Sequence, residues 1–136
     1  MGRLPVLTER RALQAAVAVL ALVPIGAGAA GVLLGPGFVA AGLPVPADLD
    51  SHFRYLSGIF LALGLAFWST VPAIERRTGT FRLLGFLVVV GGLARLGSLL
   101  TVGVPHWPHL GGLALELLAV PALVVWQARV ARRRWP

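Results

Sequence analysis

Three ionisable residues stand where charge is costly. Arg95 lies in the run Gly91-Gly92-Leu93-Ala94-Arg95-Leu96-Gly97-Ser98, Glu116 in Ala114-Leu115-Glu116-Leu117, and Arg54 in His52-Phe53-Arg54-Tyr55. A side chain of this kind inside a long apolar segment must face a polar partner, and it marks a functional candidate by default. Arginine offers a planar fork that meets a carboxylate or phosphate through two bonds. A carboxylate held among apolar neighbours can give or take a proton. Two chemistries follow. Arg54 and Arg95 could hold an anionic head group, with Glu116 balancing one charge and Tyr55, Ser57 and Ser98 adding hydrogen bonds. Alternatively, Glu116 could act as acid or base with His52 or Asp50 as the second group. Against both stands packing alone, in which Arg95–Glu116 and Asp50–Arg54 are neutral pairs that lock helices together.

The elements that must position these residues are apolar throughout. Of 136 residues, 57% are hydrophobic and 12% charged, against roughly 25% charged in a soluble domain. Mean hydropathy is +0.85. An integral membrane protein is the class that fits. The net charge of +7 comes from twelve basic residues, all arginine. They flank apolar segments and do not interleave with aromatics, so nucleic acid is not the expected partner. With no cysteine, thiolate catalysis, zinc–cysteine sites and reductase chemistry of the dithiol type are excluded.

Four apolar stretches, about 12–34, 51–73, 80–102 and 110–128, are each close to the length needed to cross a hydrocarbon core of about 30 Å. The expected fold is an all-α, antiparallel bundle of four transmembrane helices in a single domain. The basic start and the small-residue run 26–30 resemble a signal peptide, but the apolar stretch is long enough to be the first span. Residues 35–49 are rich in Gly and Pro and read as a loop with a short interfacial piece around 38–43; Asp48 or Asp50 is the expected N-cap of the next helix. Arg3, Arg10 and Arg11, then Arg76, Arg77 and Arg82, then Arg129, Arg132, Arg133 and Arg134 all fall on one side, while the loops 35–49 and 103–109 hold none. The positive-inside rule then puts both termini in the cytoplasm. Trp107 and Tyr55 fall near the outer boundary, and Trp126 and Trp135 near the inner one.

At about 1.5 Å per residue, folding the third and fourth spans about their connector brings Glu116 within a turn of Arg95. Folding the second against the third places Arg54 a turn further out. The polar residues thus gather in the outer half, with almost nothing polar expected in the inner half. Pro121 removes a backbone donor and is expected to bend the fourth span. Ala27-x-x-x-Gly31-x-x-x-Gly35 and the glycines 91, 92 and 97 are expected at helix contacts. Phe53, Phe60 and Phe67 form a packing stripe. His52, His106 and His109 ring the outer end without a metal-ligand spacing, so neither a metal nor a cofactor is expected.

Asp50-Ser51-His52-Phe53-Arg54-Tyr55-Leu56-Ser57-Gly58, the arginine segment 92–100, Gly103-x-Pro105 and Glu116 with Pro121 resemble a bacterial family of small four-span proteins, a domain of unknown function distantly similar to DoxX-like membrane proteins. The resemblance covers roughly 10–130 and implies a four-helix protein of the inner membrane; it implies no activity. The function expected from the residues is binding of a membrane lipid or small amphiphilic anion in an outward-facing polar pocket. The alternatives are an acid–base enzyme (isomerase, cyclase or epoxide opening) on an apolar substrate, a transporter protomer working as a homo-oligomer, and a structural subunit.

Overall fold

The computed structural model describes residues 3–39 and 42–133. Ala40 and Ala41 of the first loop, and Arg134 and Trp135 of the tail, lie outside that range. Among the described residues the regular structure is entirely helical: α1 (Arg3–Leu20), α2 (Leu22–Leu34), a 3-10 turn (Gly35–Phe38), α3 (Ala47–Thr70), a second 3-10 turn (Val71–Arg76), α4 (Thr78–Thr101), α5 (Trp107–Ala114), a π turn (Leu115–Ala119) and α6 (Val120–Ala131). Four helical stretches are long and apolar enough to cross a membrane: Val6–Gly37, Ala47–Arg76, Thr78–Thr101 and Trp107–Ala131. Their outward residues are those a soluble protein would bury. Leu33 and Leu100 are each 76% exposed, Leu118 71% and Val125 70%. A helical backbone and apolar side chains turned outward suit hydrocarbon as solvent. The chain is an all-α, multi-pass membrane protein.

By contacts the chain divides into two units, Ala15–Val71 and Met1–Gln14 with Pro72–Pro136. In the first, α2 runs antiparallel to α3 along a seam of small residues. A Cβ at Gly28 would lie 2.5 Å from the Leu61 nitrogen, one at Gly64 2.9 Å from the Ile25 nitrogen, and one at Gly31 would overlap the Ser57 hydroxyl. The seam therefore uses Gly28, Gly31 and Gly35. Ala27, expected there from its spacing, is exposed, because a 28-31-35 pattern follows the 3.6-residue period where 27-31-35 drifts off it. Pro24 lacks an amide hydrogen, so the Leu20 carbonyl has no α-helical donor; α1 ends at that residue. Just before this break the indole of Trp68 donates to the Ala18 carbonyl at 2.8 Å. α3 begins after Pro46, which puts Asp48 and Asp50 inside its first turn. Neither is the expected cap, but both place negative charge at the positive end of the helix dipole.

In the second unit, α4 runs antiparallel to the α5–π–α6 stretch. Phe81, Leu84 and Leu123 are buried, and the contact is close at two glycines. A Cβ at Gly85 would sit 2.5 Å from Val124 Cγ2, and one at Gly92 2.8 Å from Leu117 Cδ2 and 2.9 Å from Glu116 Cβ. Gly91 and Gly97 are not part of this contact, since a Cβ there would meet nothing within 4 Å. The sequence leads one to expect a bend at Pro121; the structure has a π turn directly before it. The Val120 amide bonds back five residues to the Leu115 carbonyl, and Glu116 sits within this wider turn. Single π turns are often found at functional positions.

Candidate functional site

The second unit joins two of the three costly charges directly. Arg95 Nε donates to Glu116 Oε2 at 3.0 Å and Nη2 donates to Oε1 at 3.0 Å. This is the side-on, bidentate arrangement that matches guanidinium to carboxylate. The Glu116 side chain is 11% exposed and that of Arg95 32%. Gly92 lets α4 approach the π turn closely enough for the bond, and Gly112, one turn before Glu116, leaves the guanidinium in ordinary contact at about 3.8 Å from its own ideal Cβ position. Arg95 Nη1 lies 3.2 Å from His109 Nδ1. A guanidinium can only donate, so Nδ1 is the acceptor and the imidazole carries its proton on Nε2. His109 is thus the histidine that joins the pair, although its loop-edge position gave no spacing signal.

Replacing Gly92 by Ala should loosen this site first. The added methyl must displace Leu117 or the Glu116 stem, and overpacking of this kind costs typically about 1–3 kcal/mol. A lowered midpoint for detergent-solubilised Gly92→Ala, beside an unaffected Gly91→Ala, is the expected outcome; equal midpoints would mean that the close contact is not needed.

The first unit holds the other pair. Arg54 Nε donates to Asp50 Oδ2 at 2.8 Å and Nη2 to Oδ1 at 3.3 Å, one turn apart on α3. Nη1 donates to the carbonyls of Val32 at 2.6 Å and Leu33 at 3.3 Å. These belong to the last turn of α2, whose final carbonyls lack helical partners, so Arg54 serves as a C-terminal cap delivered from another helix. Gly35, at φ 65, lies under the pair: a Cβ there would be 2.6 Å from both Arg54 Nη2 and Asp50 Oδ1. Ser57 packs in the seam against Gly31. Tyr55, His52 and Ser98 are exposed. Asp50, His52, Arg54, Tyr55 and Ser57 belong to one unit, and Arg95, Ser98 and Glu116 to the other.

The opposite end of the second unit is more polar than the sequence suggests. Gln127 is fully buried; its Nε2 donates to the Ile74 carbonyl at 2.7 Å and to Thr78 Oγ1 at 3.0 Å, while its Oε1 is buried without a partner among the described residues. Gln127 escapes the sequence reading, because a single glutamine in an apolar run carries no periodic signal. Glu9 pairs with Arg129 at 3.2 Å and with Arg133. Arg10 Nε donates to Glu75 Oε2 at 2.8 Å and Nη2 to the Pro72 carbonyl at 2.9 Å. Among the described residues no three His, Asp or Glu side chains converge as a metal site would require.

A search of curated proteins and a search of solved structures gave no match. The comparison with protein families did give one, and it spans the Asp50–Arg54 and Arg95–Glu116 pairs. The family is described as a domain of unknown function (DUF4345); its model matches residues 12–127, most of the chain, and the chain belongs to it.

Proposed function

We propose that the chain is a four-span protein of the bacterial cytoplasmic membrane, with both termini inside, that holds the acidic head group of a lipid-like amphiphile at Arg95. The orientation rests on the one-sided arginines. The binding role rests on a single observation, the way Arg95 is held. Glu116 occupies only the Nε/Nη2 edge of the guanidinium, His109 accepts one Nη1 hydrogen, and a third of the side chain stays exposed. One Nη1 hydrogen and one Nη2 hydrogen are left for a carboxylate or phosphate, with Glu116 aiming the fork. Arg54 is a poorer candidate, since Asp50 and two α2 carbonyls already take its donors.

The acid–base alternative would use Glu116 with both oxygens on Arg95 and Asp50 with both on Arg54, so the geometry supports recognition better than proton transfer. Packing alone draws support from the same bidentate bond. The deciding experiment is lipid analysis of protein purified in mild detergent. An anionic amphiphile should be retained by wild type and by Arg54→Gln. It should fall about 10- to 100-fold in Arg95→Gln, the usual worth of a hydrogen bond to a charged group. Identical profiles for wild type and Arg95→Gln would refute the assignment.

A further inference from the structure

The basic end of the unit formed by Met1–Gln14 and Pro72–Pro136 separates its arginines into two sets. Glu9, held by Arg129 and Arg133, and Glu75, held by Arg10, tie the start of the chain to the 72–76 turn and to the tail. The buried Gln127 amide fastens the end of α6 to the start of α4. A second set, Arg11, Arg77, Arg82 and Arg132, is exposed and has no acidic partner among the described residues. Arg77 precedes the first residue of α4 and Arg132 follows the last of α6, so these guanidiniums sit where the apolar stretches end. Exposed Leu83 and Phe86 follow Arg82 on α4, and exposed Leu7 lies one turn before Arg11 on α1.

We infer that this end is a docking surface for the anionic phospholipids of the adjoining leaflet. Two features select that occupant. Guanidinium forks match phosphate oxygens bidentately, and the apolar side chains beside them suit an acyl chain, which a soluble anion lacks. The internal pairs matter because they fix the spacing of the free arginines, so that the head groups meet a rigid platform and not a flexible tail.

The test uses the whole chain in vesicles of phosphatidylcholine containing brominated phosphatidylglycerol or brominated phosphatidylcholine, with tryptophan quenching as readout; Trp126 lies within two turns of Arg132 on α6. Phosphatidylglycerol should be preferred. Each of the pairs Arg77→Gln/Arg82→Gln and Arg11→Gln/Arg132→Gln should weaken the preference, by up to about fivefold per arginine. Neither pair touches the Glu9 or Glu75 contacts, and circular dichroism checks their folding. Should a pair fail to fold, wild type across about 0.05 to about 0.5 M salt should show the preference shrinking with screening. Equal quenching by the two lipids, a preference untouched by the substitutions or by salt, or its loss to inorganic phosphate at constant ionic strength would each overturn the inference. The last would reassign the arginines to a soluble anion. Every arm is run beside the same protein carrying Arg95→Gln, so that a preference owed to Arg95 is told apart from one owed to this end.

Discussion

Glu116→Gln lowers the unfolding midpoint of the detergent-solubilised protein, by an amount equivalent to about 3 kcal/mol. Removing one partner of a buried ion pair costs about 3–5 kcal/mol because the other charge is left uncompensated, and the one-third exposure of Arg95 places this case at the low end. The glutamine keeps the shape of the side chain but offers the guanidinium one neutral acceptor where it had two charged ones. His109, an uncharged acceptor in this geometry, does not make up the difference. The informative comparison is the double variant Arg95→Met/Glu116→Leu. Replacing both members of a buried pair by apolar residues of similar size is often neutral or stabilising, so most of the lost stability should return. If it does, and the co-purifying amphiphile is absent, the pair is retained for binding and not for stability. If the double variant is as unstable as the single one, the pair is a structural lock and the binding role at Arg95 loses its basis.

The sequence makes some of this legible and hides the rest, for physical reasons. Helical class and span positions follow from apolar length, a signal spread over some twenty residues each time and thus insensitive to any one of them. The Arg95–Glu116 bond is legible because an antiparallel hairpin with a short connector fixes which residues lie level. The Asp50–Arg54 bond follows from i,i+4 spacing, but Arg54's bonds to the α2 carbonyls do not, since they depend on how closely two helices approach. That approach is set by which glycines face inward. A small-xxx-small pattern identifies Gly31 and Gly35 but assigns Ala27 to the face that Gly28 holds, because a run of small residues carries little information on rotation. Pro121 announces a disturbed hydrogen-bond ladder without saying whether the helix will bend or widen; here the π turn settles where Glu116 sits. Gln127, Glu9 and Glu75 find their partners across 49 to 120 or more positions of chain, and no local pattern reports them.

Gly28→Ala should be among the most damaging single-methyl changes in this chain. The added Cβ would lie 2.5 Å from the nitrogen and 2.8 Å from the Cα of Leu61, and backbone atoms cannot swing aside as a side-chain tip can. α2 and α3 would have to separate. Helix association in lipid depends on close packing with no hydrophobic drive between helices, so a small separation removes much of what holds the seam. The loss would spread along it: Ser57 would leave Gly31, and the Arg54 bond to the Val32 carbonyl, 2.6 Å long, would lengthen. A cost at or above the upper end of overpacking, about 3 kcal/mol, is expected, read as a lowered midpoint in a denaturant titration in detergent. Gly26→Ala is the control two positions away on the same helix, where a Cβ would meet nothing within 4 Å. There the better helix propensity of alanine, worth up to about 1 kcal/mol, should leave stability equal or raised. If the two variants behaved alike, the seam at Gly28 would not be what joins α2 to α3. The cap that Arg54 supplies would then need another explanation, because its reach to the α2 carbonyls depends on the two helices lying this close.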